Sequence, residues 1–142
     1  MEQHDIQSLL PHRKPFLFVD NLEKVDEDTI IGSHCFSEDE FFFEGHFPEY
    51  PVVPGVILIE TMAQCGGAGV RALGKLGDDA LFFLASVDKV KFRQQVRPGD
   101  TVRIEIKNLR ITGRMIKQSG SAFVGEEKAA EAEWLCLVGT AE

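Results

Sequence analysis

Gly45-His46-Phe47-Pro48 and Pro51-Val52-Val53-Pro54-Gly55 lead into the run Val56-Ile57-Leu58-Ile59-Glu60-Thr61-Met62-Ala63-Gln64, and this stretch decides the fold. Proline is favoured in the first turn of a helix, so Pro54 and Gly55 predict a helix start. The residues that follow are nearly all apolar, which predicts a core helix from about Pro54 to the Gly74–Gly77 region. The prolines before it predict a rigid loop beside the helix start.

Glu60 is a charged residue within this apolar helix. Burial disfavours an ionised carboxylate and raises its pKa, so Glu60 is expected to hold and donate a proton near neutral pH. Gln64 lies one turn further along the same face, where it can hold the Glu60 side chain in one rotamer. A structural alternative stays open, in which Glu60 pairs with a buried arginine.

His46 and the helix start supply two further parts of a possible site. His46 offers a titratable imidazole, and the unpaired N–H groups near Gly55 and Val56 offer a place for a developing oxyanion. A base, an acid and a preorganised dipole are the separable parts of general acid–base catalysis. A loop histidine is also consistent with a surface side chain or a hydrogen-bond bridge, and that alternative stays open.

These residues resemble the signature of the 3-hydroxyacyl-[acyl-carrier-protein] dehydratases of type II fatty acid synthesis. The resemblance extends over nearly the whole chain in ordered blocks. Glu49-Tyr50 stands where a glycine is common in that family, so the detailed shape of this loop does not follow from the resemblance. The further matching blocks are Leu9-Leu10-Pro11-His12-Arg13, Pro15-Phe16-Leu17, Val19-Asp20, Phe83-Leu84-Ala85, Asp88-Lys89-Val90-Lys91-Phe92-Arg93, Val96 and Pro98-Gly99-Asp100.

The resemblance implies roles for individual residues. His46 is expected to remove the proton from the carbon next to the thioester, and Glu60 to protonate the departing 3-hydroxyl. Glutamate rather than aspartate at this position resembles the branch that dehydrates without isomerising the double bond. The backbone N–H groups of Gly55 and Val56 are expected to bind the thioester carbonyl. Gln64 and Phe83 are expected to bind substrate, and neither a cofactor nor a metal is implied.

The resemblance also implies the architecture and the partners. It implies an α+β hot-dog fold, with one long central helix wrapped by an antiparallel sheet, over residues 1–142 as a single domain. Two subunits are expected to pair sheet to sheet, so that the histidine of one faces the carboxylate of the other, and the dimers are expected to assemble into a hexamer. The sequence leaves open whether His46 and Glu60 meet within or between chains. The expected partner is an acyl carrier protein bearing a 3-hydroxyacyl thioester.

Periodicity places the smaller elements around the helix. Residues 101–107 alternate apolar and polar side chains, which predicts a strand with one buried face. Further strands are predicted by local composition, after a short helical start that ends near Leu10. These predicted strands are Phe16–Asp20, Thr29–Phe36, Ala122–Val124 and Ala132–Val138.

Composition limits the possible partners. The 142 residues carry a net charge of −8, which argues against nucleic acid. No stretch approaches the roughly 20 apolar residues of a membrane span and the N-terminus lacks a basic signal region, so a cytoplasmic protein without membrane insertion is expected. Cys35, Cys65 and Cys136 show no metal or disulfide spacing and are interpreted as buried free thiols.

Two surface interpretations stay open. The cations after Phe83 predict a docking patch for an acidic carrier protein, or else a plain solvated strand face. Phe82, Phe83 and the run 41–43 either line an acyl tunnel or belong to the core. The patch consists of Lys89, Lys91 and Arg93, which are predicted to alternate on one strand face, and of Arg97 just beyond.

Three functions compete at this stage. Dehydration of a 3-hydroxyacyl thioester requires both His46 and Glu60 and is favoured because both are present. Thioester hydrolysis would need Glu60 to position a water, and a non-catalytic acyl-thioester sensor would not need both groups.

Overall fold

The computed structural model describes residues 5–140, which form one antiparallel sheet wrapped around one long helix. The six strands lie in the order β1-β2-β4-β5-β6-β3, so β1 and β3 are the edges. The elements are α1 (Ile6–Leu9), β1 (Asn21–Val25), β2 (Thr29–Cys35), α2 (Gly55–Ala72), β3 (Ala80–Phe92), β4 (Thr101–Ile111), β5 (Met115–Val124) and β6 (Glu127–Thr140). This arrangement confirms the predicted α+β hot-dog architecture.

Glycines let α2 lie close against the sheet. A Cβ atom at Gly66 would collide with the Gln118 side chain, and one at Gly67 would collide with the ring of Phe82. Gln118 in β5 donates its amide N–H to the Gly66 carbonyl at 3.2 Å and accepts from Trp134 Nε1 at 3.1 Å. The close approach of helix and sheet therefore allows Gln118 to link the helix backbone to Trp134 by buried hydrogen bonds.

The alternation predicted for residues 101–107 is confirmed in β4. Val102, Ile104 and Ile106 are at most 1% exposed, whereas the residues between them are half-buried or exposed. Because alternate side chains of a strand point to opposite faces, one face of β4 packs on α2 and the other faces outward.

Four details of the sequence analysis are corrected. Residues 16–20 are not a strand, because Phe16 and Phe18 direct backbone groups to the Gln64 side chain instead of to a neighbouring strand. The first strand is Asn21–Val25, which the sequence analysis missed. The long helix ends at Ala72, before the Gly74–Gly77 region. Cys35 is exposed, and only Cys65 and Cys136 are buried thiols.

No helix among residues 5–140 is both long enough and apolar enough to cross a membrane.

Candidate active site

His46 lies in a loop that closes on itself. Its backbone N–H donates to the Phe42 carbonyl, and its own carbonyl accepts from Val52 N–H, each at 3.0 Å. Its side-chain Nδ1 lies 3.1 Å from the Val52 carbonyl oxygen. A carbonyl can only accept, so Nδ1 carries a proton, and the lone pair of the neutral ring lies on Nε2. The half-buried imidazole is thus held in the tautomer that a base needs.

Neighbouring groups hold this loop in place. The Phe47 ring stacks on His46 at 4.2 Å between centroids. Arg97 lies over the Tyr50 ring at 4.3 Å and donates to the Pro51 carbonyl at 3.2 Å. A side chain with two partners in one loop restricts how far that loop moves, so Arg97 has a structural role here.

Glu60 faces inward from α2 and is held by Gln64. The Gln64 amide Nε2 donates to Glu60 Oε2 at 2.9 Å and to the Phe16 carbonyl at 3.1 Å. Its Oε1 accepts from the Phe18 N–H at 2.8 Å. Both amide protons are therefore used within the protein, and the Gln64 side chain is completely buried. This confirms the predicted contact of Gln64 with Glu60.

Burial raises the pKa of Glu60, and the hydrogen bond from Gln64 opposes the rise only in part. Among the described residues, no lysine or arginine forms an ion pair with Glu60. The open alternative of a buried Glu60–arginine pair therefore finds no support between residues 5 and 140. A carboxyl group that is partly desolvated and lacks a cation is suited to holding a proton near neutral pH.

The start of α2 presents free N–H groups. The first helical bonds are donated by Ile57 and Leu58 to the Pro54 carbonyl, at 2.9 and 3.3 Å. No described residue accepts from Gly55 N–H or Val56 N–H, and no side chain caps the helix. A Cβ atom at Gly55 would lie 2.7 Å from the Phe92 ring, so a larger residue there would have to displace that ring. The two amides and the helix dipole can together stabilise a developing negative charge.

Within one chain, the described contacts do not bring the two titratable groups together. His46 bonds to Val52, and Glu60 bonds to Gln64. No hydrogen bond or ion pair between His46 and Glu60 occurs in residues 5–140. Phe83, expected near the substrate, is 56% exposed on the edge strand β3.

Most of the cations expected to dock a carrier protein have local partners. Lys89 pairs with Glu133 at 3.5 Å, and Arg93 pairs with Glu131 at 3.3 Å. A register shift between Asp88 and Lys91 interrupts the expected alternation along β3. Lys91 is exposed, with no carboxylate ion-paired to it in the described part of the chain.

The sequence predicts for His12 only a hydrogen bond to the backbone in the turn with Arg13, but the structure places this side chain beside Glu60 and leaves its Nδ1 without a partner among the described residues. Its Nε2 lies 3.8 Å from Glu60 Oε2, and its ring centroid lies 5.8 Å from that of Phe82. The block Leu9-Leu10-Pro11-His12-Arg13 was part of the resemblance, but nothing in its spacing indicates a contact with residue 60. Between residues 5 and 140, no cluster of three or more His, Cys, Asp or Glu side chains is arranged to hold a metal ion.

Comparison with known proteins first defines the class. The FabA-like domain family matches residues 10–133. Among solved structures, the dehydratase heterocomplex ApeI:P from Xenorhabdus doucetiae aligns with a TM-score of 0.78 at 19% identity, covering 96% of this chain and 91% of that one. A phenylacetic acid degradation-related protein from Ralstonia eutropha JMP134 aligns with a TM-score of 0.63 at 16% identity, covering 82% of each chain. At such low identity these structures show the shared fold alone.

Curated relatives then define the family within that class. A 3-hydroxyacyl-[acyl-carrier-protein] dehydratase FabZ from Desulforamulus reducens is 47% identical over 136 residues, covering 94% of both chains. The FabZ of Moorella thermoacetica is 45% identical over 141 residues, covering 98% of this chain and 97% of the relative. The chain belongs to the FabZ family of 3-hydroxyacyl-[acyl-carrier-protein] dehydratases, which are hydro-lyases.

Proposed function

We propose that this protein converts (3R)-hydroxyacyl-[acyl-carrier-protein] to trans-2-enoyl-[acyl-carrier-protein] in fatty acid elongation. The observation that carries the proposal is Glu60, a partly buried carboxyl that Gln64 holds in one orientation and that has no cation partner among the described residues. Family membership supports the same reaction, and it disfavours a thioesterase or a sensor on this fold.

Each step has a group suited to it. His46 Nε2 takes the proton from the carbon next to the thioester, while the carbonyl oxygen gains negative charge beside the N–H groups of Gly55 and Val56. The electron pair of the broken C–H bond then forms the carbon–carbon double bond. The 3-hydroxyl takes the proton from Glu60 and leaves as water. Transfer of the proton from His46 back to Glu60, through solvent, restores the enzyme.

Gln64 acts in this proposal through Glu60, because no part of its side chain is exposed. Phe83 is assigned to acyl-chain binding, since an exposed aromatic ring on an edge strand suits an apolar chain or a second subunit.

A homodimer is part of the proposal because His46 and Glu60 of one chain share no hydrogen bond or ion pair among the described contacts. β3 is a long edge strand of 13 residues, and among the described strands it pairs only with β6. Such an edge invites pairing with a second copy. Large apolar side chains are exposed on β3 and on its neighbouring elements, where a partner subunit would cover them. They include Val56, Phe83, Leu84, Phe92 and Leu137.

We further propose that the partner supplies His46 to each Glu60, and that the dimers assemble into a hexamer. Acyl carrier protein would approach Lys91, with Lys89, Arg93 and Arg97 as the surrounding cations. The cytoplasmic location expected from the sequence belongs to the same proposal.

Glu60→Gln tests the acid. The amide keeps the shape of the side chain but has no acidic proton, so turnover is expected to fall by at least about a hundredfold with the fold intact. Purified enzyme is given a 3-hydroxyacyl-carrier protein, and mass spectrometry follows loss of water and release of thiol. Near-normal turnover by the variant would exclude Glu60 as the acid. Thiol release by the unmodified protein would point to a thioesterase, and binding without either product to a sensor.

Mixing two inactive variants tests the shared site. A dimer of one His46→Ala chain and one Glu60→Gln chain keeps one complete site only if the two groups come from different subunits. After unfolding and joint refolding, about half of the dimers are mixed, so about a quarter of the original activity should return. No recovery despite mixed dimers, verified by mass under native conditions, would place both groups in one chain.

A further inference from the structure

His12 and Glu60 face each other across a short gap. Nε2 of His12 lies 3.8 Å from Oε2 of Glu60, longer than a hydrogen bond. Nδ1 of His12 is buried and has no hydrogen-bond partner among the described residues. A proton on Nδ1 would therefore be an unsatisfied donor, whereas a proton on Nε2 can be directed at the carboxyl oxygen. The structure thus favours the tautomer with its N–H on the Glu60 side.

The segment that carries His12 is fixed on both sides. Arg13 donates to the carbonyls of Leu10 and His12, each at 2.7 Å, and to that of Gln7 at 3.0 Å. Further on, Gln64 binds the backbone of Phe16 and Phe18. Since these contacts hold the backbone, the imidazole is presented to Glu60 by a rigid segment.

Burial and the neighbouring charge both favour the neutral form of His12. Burial, helped by the nearby Arg13 guanidinium, lowers the pKa of His12. Burial also raises the pKa of Cys136, which lies close to Glu60, to about 12, so this thiol carries no charge near neutral pH. The polar and charged groups described near the pair in the same chain are Arg13 beside His12, the neutral Gln64 on α2 and the neutral Cys136 on β6, and in the proposed dimer the partner's His46 also faces Glu60.

Both neutral donors address the same oxygen of Glu60. Gln64 Nε2 donates to Oε2, and His12 Nε2 lies on that side as well. No described donor reaches Oε1. An oxygen that accepts N–H groups is disfavoured as the place for a proton, so the acidic proton belongs on Oε1.

We propose that His12 is a positioning residue for Glu60, whose neutral Nε2–H directs the acidic proton to Oε1 and stabilises the carboxylate left after proton donation. The inference deepens the proposed dehydration and rests on it for its catalytic consequence. The 3.8 Å gap suits this role, because catalytic hydrogen bonds that are long in the free enzyme often shorten when substrate binds.

Three substitutions separate the donor from the shape of the side chain. His12→Phe keeps a ring beside Phe82 without a donor, and His12→Asn moves an amide to the place of Nδ1. His12→Gln puts an amide N–H near the place of Nε2. Infrared spectroscopy follows the C=O stretch of the protonated Glu60 carboxyl as pH changes, with Glu60→Gln as the subtraction that assigns it. This titration needs no substrate.

A lost donor destabilises the Glu60 carboxylate more than the acid, so the titration midpoint should rise. We expect His12→Phe and His12→Asn to raise it by about half to one pH unit. In turnover assays the same variants should lower kcat about three- to tenfold, with KM nearly unchanged. His12→Gln should stay close to the original protein in both measurements.

If the titration midpoint of Glu60 does not move in folded His12→Phe or His12→Asn, the inference is overturned. It is also overturned if His12→Gln shows the same rise in midpoint and the same loss of kcat as those two variants. If the unmodified protein dehydrates no substrate, the proposed function fails, while the infrared midpoint still decides whether His12 acts on Glu60.

Discussion

His34 is a buried cation, and we expect it to lose its charge and its contribution to stability at high pH. It lies in β2 at 6% exposure, with Nδ1 2.9 Å from Asp20 Oδ1 and Nε2 3.2 Å from Glu40 Oε2. Burial alone would lower the pKa of His34, but hydrogen bonds and charge from the two carboxylates outweigh it and raise the pKa to about 9. Protonated His34 therefore joins β2 to the segment before β1 and to the turn that leads to His46.

The size of this effect follows from linkage between protonation and folding. The pKa is about 9 in the folded protein against 6.5 ordinarily, so the folded state binds the proton more tightly. The stabilisation is complete below pH 6.5 and is lost as the pH rises through about 9. Between about pH 7 and pH 9 the two values give a loss of about 2 kcal/mol in the free energy of unfolding. Because Asp20 is half-exposed and screened by water, we take this as an upper bound.

Urea unfolding of the original protein and of His34→Gln at several pH values measures this loss. Protein concentration is kept fixed because association adds to apparent stability. His34→Gln removes the titrating group but leaves every other group that titrates in this range. Any difference between the two proteins in how the free energy of unfolding changes with pH is therefore due to His34. If the free energy of unfolding of both proteins declined equally from pH 7 to pH 9, the reasoning would be refuted.

Two other predictions concern helix packing and carrier docking. Gly66→Ala should lower the free energy of unfolding by about 1–3 kcal/mol, because its Cβ atom would collide with the Gln118 side chain. Gly113→Ala is the matched control for thermal melting, since its Cβ atom would meet no atom within 4 Å; equal losses in both would contradict the packing argument. Lys91→Glu should raise KM for the carrier-protein substrate several-fold at low salt and less at high salt, whereas Lys107→Glu, also exposed but on β4, should not. Equal effects at both positions would remove Lys91 from the proposed docking surface.

The parts of the fold that sequence could predict are those set by local pattern. Pro54 and Gly55 mark the helix start because proline suits the first turn, and Val102, Ile104 and Ile106 mark a strand because their period is two. Both features lie within a few residues of the chain. The acid with its holder, Glu60 and Gln64, was predictable for the same reason, since residues four apart share a helix face.

The parts that sequence could not predict depend on long-range pairing. Phe16–Asp20 has the composition of a strand, but its backbone bonds to a side chain 48 residues away in sequence. The partners of Lys89 and Arg93 were hidden because they follow from the register of β3 against β6. The number of cations along this strand therefore predicted a larger positive patch than the structure leaves available to a carrier protein.

Gln64 links the stability of the N-terminal segment to the chemistry of Glu60. The amide that satisfies the backbone of Phe16 and Phe18 is the same group that orients the carboxyl. Leaving the buried Phe18 N–H unpaired would cost about 1–3 kcal/mol, so the contact is maintained by folding itself. The segment held in this way also carries His12 to within 3.8 Å of Oε2. Replacing Gln64 would therefore disturb both donors at once, whereas replacing His12 alone changes one donor and leaves the segment anchored.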